Sequence, residues 1–167
     1  MGHQVSMISN GSEQKNGTKA NGKTSGHNYV TETTLRVRYA ETDKMGVVYH
    51  SNYIIWFEVG RVEMLRSFGF TYKEMESEDD THLPVVEVRC RYKAPAQYDD
   101  EIVVRTHLRN VRDSLIHFGY ECFRKSDNTL LAEGETVHLV LDGTGNRRSF
   151  PDKYRTPFKA ALAGELR

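Results

Sequence analysis

The spacing of apolar residues changes character twice along this chain. Over residues 31–39, TETTLRVRY, Leu35, Val37 and Tyr39 alternate with Arg36 and Arg38, the period of a half-buried strand. Over residues 53–68 the apolar positions recur every three or four residues. Ile55, Val59, Val62 and Leu65 fall on one stripe, and Trp56, Phe57 and Met64 widen it. So broad an apolar surface predicts a helix covered on several sides, with Gly69 as its stop. A short amphipathic helix is expected over 72–77. The period then becomes two and stays there, in PVVEVRCRYK (84–93), EIVVRTHLR (101–109), LIHFGYECFR (115–124) and TLLAEGETVHLVL (129–141). Turn residues separate these runs. Pro151 and Pro157 suit the first turns of short terminal helices. Four consecutive strands with short links imply an antiparallel sheet. The economical packing is α+β, with about five strands wrapped around one long central helix. Such a sheet keeps an open edge, which a second copy of the chain is suited to cover.

Composition narrows the picture at the N-terminus. Residues 1–28 are dominated by Gly, Ser, Asn, Lys and Thr, a composition that cannot offset its ordering entropy, so a disordered tail is expected ahead of one domain over 29–167. The tail lacks the apolar stretch of a secretory signal. It begins MGHQVS, which fits the loose pattern for myristoylation at Gly2. The 23 basic and 23 acidic residues cancel, which argues against a broad nucleic-acid footprint. No apolar run approaches the roughly 20 residues that span a bilayer. Cys90 and Cys122 lie in strand patterns without metal-ligand spacing, and are read as reduced residues of a cytoplasmic protein.

Between the first strand and the long helix stands YAETDKMGVVYHSNY, residues 39–53. An Asp seven residues ahead of a His, with a glycine between them and a buried helix behind, is an arrangement suited to chemistry. The start of a helix offers unpaired N–H groups and the positive end of its dipole. The loop RYAETDKMGVVYHSNY, followed by WFE, resembles the hot-dog-fold acyl-CoA thioesterases of the 4-hydroxybenzoyl-CoA thioesterase type, and within them the bacterial YbgC-like branch. RVEMLR in the helix, RYKAPAQYDD at a strand end and AEGETVH in the last strand support it, so the likeness runs over about 35–154.

That resemblance implies the hot-dog fold and hydrolysis of an acyl-CoA thioester to free acid and CoA, with no metal or redox cofactor. It implies a homodimer or homotetramer. Asp43 matches the catalytic aspartate, as nucleophile giving a mixed anhydride or as general base on water. The backbone N–H of His50 matches the donor that polarises the carbonyl, a contact worth about 3 kcal/mol in the transition state; its side chain is a candidate for orienting the thioester. Gly46 lets the backbone bend closely past the acyl group, and Asn52 is suited to cap the helix and hold the loop. Glu41 is expected to hydrogen-bond the loop, and Glu58 to pair with Arg61 one turn on.

Coenzyme A carries several phosphate charges, which a neutral protein must meet with local cations. The resemblance places the nucleotide near Arg109, Arg112 and Ser114, with Arg147 and Arg148 as a second cluster and Lys93 as a further candidate. Tyr49, Tyr53, Trp56 and His82 are candidates for the acyl chamber wall, expected at a subunit interface. His82, His107, His117 and His138 have no metal spacing, and no G-x-S-x-G elbow is present. The alternatives are an acyl-carrier-protein or aromatic (menaquinone-pathway) thioester hydrolase, a hot-dog dehydratase, and a non-catalytic acyl-CoA-binding module.

Overall fold

The computed structural model describes residues 29–165; the expected tail and its Gly2 pattern lie outside them. The first strand, β1, is Val30–Arg36, and a 3-10 turn follows at Tyr39–Glu41. The long helix α1 spans Asn52–Ser67 and the short α2 spans Tyr72–Ser77. Four strands succeed them: β2 Val85–Tyr92, β3 Glu101–Arg112, β4 Leu115–Arg124 and β5 Thr129–Leu139. Helix α3, Asp152–Leu162, closes the chain.

All five strands form one antiparallel sheet in the order β1-β3-β4-β5-β2. The expected α+β arrangement is borne out, but β2 and β3 are not neighbours. The link between them crosses from the β2 edge of the sheet to β3, beside the opposite edge strand β1. On the way Lys93 N–H donates to the Leu131 carbonyl, Ala96 accepts from Val48 N–H, and Asp99 N–H donates to Val37. β2 is therefore an edge strand.

Helix α1 lies across β1, β3 and β4. Its buried residues are Tyr53, Trp56, Phe57, Gly60, Arg61, Met64 and Leu65; Ile55 and Val59 of the expected stripe face outward. Large aromatic rings and one glycine decide the matter. Phe57 stacks on Tyr120 with centroids 4.5 Å apart. At Gly60 a Cβ would sit 2.4 Å from Thr106 Oγ1, so the helix approaches the sheet closely only because that side chain is missing. The outward Ile54, Ile55 and Val59 share exposure with Val85, Val86 and Val88 of β2.

Ends differ from the pattern for local reasons. β1 stops at Arg36 because the chain turns at Tyr39, which is exposed and packs edge-on against Tyr98. β3 runs past the expected end at Arg109 because a bulge between Leu108 and Asn110 shifts the alternation by one; Leu108 and Val111 are both buried. Gly69, at φ +84°, ends α1 as expected, its N–H bonding the Arg66 carbonyl. Pro151 precedes α3, but Pro157 sits within it and opens no second helix. It forfeits one backbone bond, while Tyr154 and Phe158 on the same face pack against Phe70 and Phe68.

Candidate active site

The loop from Glu41 to Ser51 is a small hairpin laid against the start of α1. Asp43 N–H donates to Val47 O at 2.9 Å, and Gly46 N–H returns to Asp43 O at 3.0 Å. Thr42 bridges Val48, and Val47 bridges Gln97 on the β2–β3 link. Gly46 supplies the tip with φ +76°, and a Cβ there would meet nothing within 4 Å. Its glycine therefore serves the turn and not a close approach. Half-buried Asp43 accepts Met45 N–H at Oδ1, 2.8 Å; Oδ2 has no partner among the described residues.

Glu41 is the hub that fastens this hairpin to the helix. Its carbonyl accepts both Tyr49 N–H and Asn52 Nδ2, each at 2.9 Å. Its carboxylate is only 5% exposed and accepts Arg38 N–H at 2.7 Å and Trp56 Nε1–H at 3.1 Å. Burial pushes its pKa up, but the hydrogen bonds from Arg38 and Trp56 and the Arg38 charge outweigh it, and the carboxyl lies below its ordinary range. Asn52 thus holds the loop and does not cap α1; the residue before it, Ser51, makes no side-chain cap either.

Glu41→Gln keeps the volume but turns an NH2 group toward a buried N–H donor. We expect it to cost about 2 kcal/mol at pH 7. A carboxylate with a depressed folded pKa stabilises fully above its unfolded value and loses that contribution as pH falls through the folded one. The gap between wild type and variant should therefore shrink in acid, as urea unfolding at pH 7 and pH 3 will measure.

A cleft of about 290 Å³ opens at the start of α1, walled by Val48, His50, Tyr53, Tyr92, Lys93, Ala94 and Pro95. Among the described residues nothing accepts from the amide N–H of His50. The side chain of His50 is exposed and tilts against the Tyr49 ring. Tyr53 is buried, its hydroxyl accepting Ala96 N–H at 3.2 Å.

Of the other acyl-wall candidates, Trp56 is buried behind Glu41, and Tyr49 is half exposed outside this cleft. Asp43, on the same loop, is likewise not part of its wall. Tyr92 was absent from the candidates. It falls on the Val88–Cys90–Tyr92 alternation, which assigns it a face, but its partner His50 is 42 residues away in sequence.

The structure separates the remaining candidates from this cleft. Ser114 and Arg147 do meet, Arg147 Nε donating to Ser114 Oγ at 2.5 Å. Arg148 donates to the carbonyls of Asp79 and Asp80 and so pins the acidic turn. The Arg109 guanidinium packs against Gly119, where a Cβ would collide with it, and Arg112 is exposed at the end of β3. His82 bridges Leu141, which bridges Arg147. Arg112, Ser114, Arg147, Arg148 and His82 lie toward the level where β2 begins and Arg109 level with its middle, whereas Tyr92 and the cleft stand where β2 ends, roughly 23 Å from its start. Lys93 is the exception: it lines the cleft and pairs with Glu133 at 3.0 Å. The expected Glu58–Arg61 pair does not form. Arg61 is buried and donates to Tyr72 OH at 2.8 Å, while Glu58 stays exposed.

No group of three or more metal-ligating side chains occurs among the described residues. His107 and His117 instead face Glu121 and Glu135 across the sheet, at 3.2 and 2.7 Å. Cys90 and Cys122 are free thiols, both raised in pKa by burial. No described helix is long and apolar enough to cross a membrane.

Comparison with known proteins follows the same residues. Residues 37–162 match the thioesterase-like superfamily. The YbgC acyl-CoA thioester hydrolase of Escherichia coli is 32% identical over 126 residues, 75% of this chain and 92% of its own. The YneP protein of Bacillus subtilis is 33% identical over 138 residues, 80% of this chain and 98% of its own. Among solved structures, a DHNA-CoA thioesterase from Staphylococcus aureus superposes with a TM-score of 0.73 at 31% identity, covering 81% of this chain and 90% of that one.

Proposed function

This chain belongs to the thioesterase-like superfamily, and from that premise we propose that it hydrolyses an acyl-CoA thioester to the free acid and CoA, with Asp43 and the His50 N–H as its working groups. The observation that carries the reading is the N–H of His50, without an acceptor among the described residues, on a residue that walls the cleft at the start of α1, with the Asp43 carboxylate on the same anchored loop. A thioester carbonyl under attack gathers negative charge on oxygen, and a fixed N–H at a helix start stabilises it. Asp43 Oδ2 either attacks the carbonyl carbon, releasing CoA thiolate and leaving a mixed anhydride for water, or takes the proton of an attacking water. In a single turnover in 18O-labelled water, attack of water on the Asp43 carbon of the anhydride leaves 18O on Asp43 and none in the product acid, whereas direct attack of water on the thioester leaves 18O in the acid and none on Asp43. Neither needs a metal or redox cofactor, and two free thiols suit a cytoplasmic enzyme.

The separation of the cleft from the cationic cluster has an economical resolution. The free edge of β2 and the exposed Val85, Val86, Val88, Ile54, Ile55 and Val59 suit pairing with a second copy. Antiparallel self-pairing sets the end of one β2 beside the start of the other. The Ser114–Arg147 cluster and His82 end of one copy then flank the cleft of its partner, where the phosphates of CoA need cations. A sedimentation mass of 19.2 kDa, that of one chain, would remove this part of the reading.

The test of the function is thiol release, followed with DTNB, over aliphatic and aromatic acyl-CoAs and acyl-carrier-protein. Turnover with at least one acyl-CoA, inhibited by free CoA, is expected. Calorimetric binding without thiol release identifies a binding module. Turnover of the carrier-protein thioester alone identifies the other hydrolase. Three ring-bearing residues among those lining the cleft, Tyr53, Tyr92 and His50, give the aromatic acyl group its place in the panel.

A further inference from the structure

The first turn of α1 is tightened. Ile54 N–H donates to Ser51 O at 3.1 Å, an i−3 bond. The His50 carbonyl, four residues before Ile54, is thereby left without a backbone donor. Tyr92 supplies one from the last position of β2, its hydroxyl lying 3.0 Å from His50 O. A carbonyl only accepts, so the phenol donates. Its proton is secure, because burial, with Cys90 and Tyr53 nearby, pushes the Tyr92 pKa up to about 12. The ring is held as well: it meets Tyr53 edge-on at 5.3 Å and the His50 ring at 6.3 Å. Tyr53 is fixed in turn by Ala96 N–H.

We propose that Tyr92 is a positioning residue: its phenol fixes the carbonyl of His50, and through the shared Cα the direction of the His50 N–H toward the cleft. The peptide that carries the His50 N–H is held at its other end, where the Tyr49 carbonyl accepts Asn52 N–H at 3.0 Å; the next peptide, from the His50 carbonyl to Ser51, has the Tyr92 hydroxyl as its one hydrogen-bond partner among the described residues. With that second peptide loose, the Cα of His50 is clamped from one side only, and the N–H can tilt from the oxygen it serves while the fold stays intact. Misaim of a fixed donor costs part of its transition-state contribution. The inference rests on the acyl-CoA thioesterase reading above.

Tyr92→Phe removes the hydroxyl and keeps the ring that walls the cleft. With the acyl-CoA that the wild type turns over best, kcat is expected to fall about tenfold or more, with KM within about twofold. The melting temperature should stay within about 2 °C, because a half-exposed hydroxyl is lost and no packing. Tyr92→Leu, which also removes the ring, should raise KM in addition. A kcat for Tyr92→Phe within about twofold of wild type overturns the inference, whether KM is unchanged or raised; in the second case Tyr92 is only a wall. Asp43→Asn in the same assay separates the two claims. Wild-type turnover that Asp43→Asn abolishes and Tyr92→Phe preserves overturns the positioning role alone. A wild type that releases no thiol from any acyl-CoA overturns both.

Discussion

Asp43→Asn is expected to lower kcat for acyl-CoA hydrolysis by about 1000-fold or more, with little change in KM or in unfolding. The amide is neither a nucleophile nor a base, and either role for the carboxylate is worth factors of this size. Asparagine keeps the oxygen that accepts Met45 N–H at 2.8 Å, so the hairpin between Thr42 and Val48 retains its geometry. Asp43→Ala removes that acceptor too and should add a stability loss of about 1 kcal/mol. Steady-state kinetics beside urea unfolding reads both effects. An Asp43→Asn enzyme within tenfold of wild type would move the chemistry to another group.

The second large effect is a loss of stability between pH 7 and pH 5, carried by His138. This residue is fully buried. Its Nδ1 lies 2.9 Å from the Leu83 carbonyl, which only accepts, so Nδ1 carries the proton. Nε2 then accepts the Thr136 hydroxyl at 2.9 Å, and Thr136 in turn accepts the Tyr120 hydroxyl at 2.7 Å. A second proton on the ring breaks this chain of bonds and adds a cation near the buried Arg61. Burial first, and the Arg61 charge next, lower its pKa to about 4 from the usual 6.5. The folded state thus takes up its proton later than the unfolded chain. The stabilisation is complete above pH 6.5 and is lost as pH falls toward 4, by about 2 kcal/mol at pH 5.

Most carboxylates remain ionised over that window, so histidines dominate it. His107, also lowered by burial, acts in the same direction. His138→Asn, whose amide can still donate to Leu83, isolates the larger share: its stability should change less between pH 7 and pH 5. An equal slope in both proteins would remove the assignment.

Much of this protein could be read before its coordinates. Gly69 stops α1 where the pattern demands. The residues 115–124 and 72–77 form β4 and α2 within the expected bounds. The period-two runs expected over 101–109 and 115–124 do form strands, with Val104, Leu108, Phe118 and Tyr120 buried. Patterns fail where two features compete. The stripe expected through Ile55 and Val59 faces outward there, because these residues are as apolar as Trp56 and Phe57, and hydrophobicity alone does not say which set meets this chain's own sheet.

Local physics, then, determined the elements, their order, the loop that carries Asp43 and His50, and the family to which they belong, because period, caps and turn chemistry act between residues close in sequence. The tertiary structure alone decided that β2 lies beside β5, that Glu41 ties the loop to Trp56, that Tyr92 holds the His50 carbonyl, and that Arg61 rests on phenols in place of Glu58. Each of these depends on which distant groups a single close-packed arrangement brings within 3 Å of one another. A buried donor or acceptor takes the partner that packing delivers, and no spacing along the chain encodes that choice.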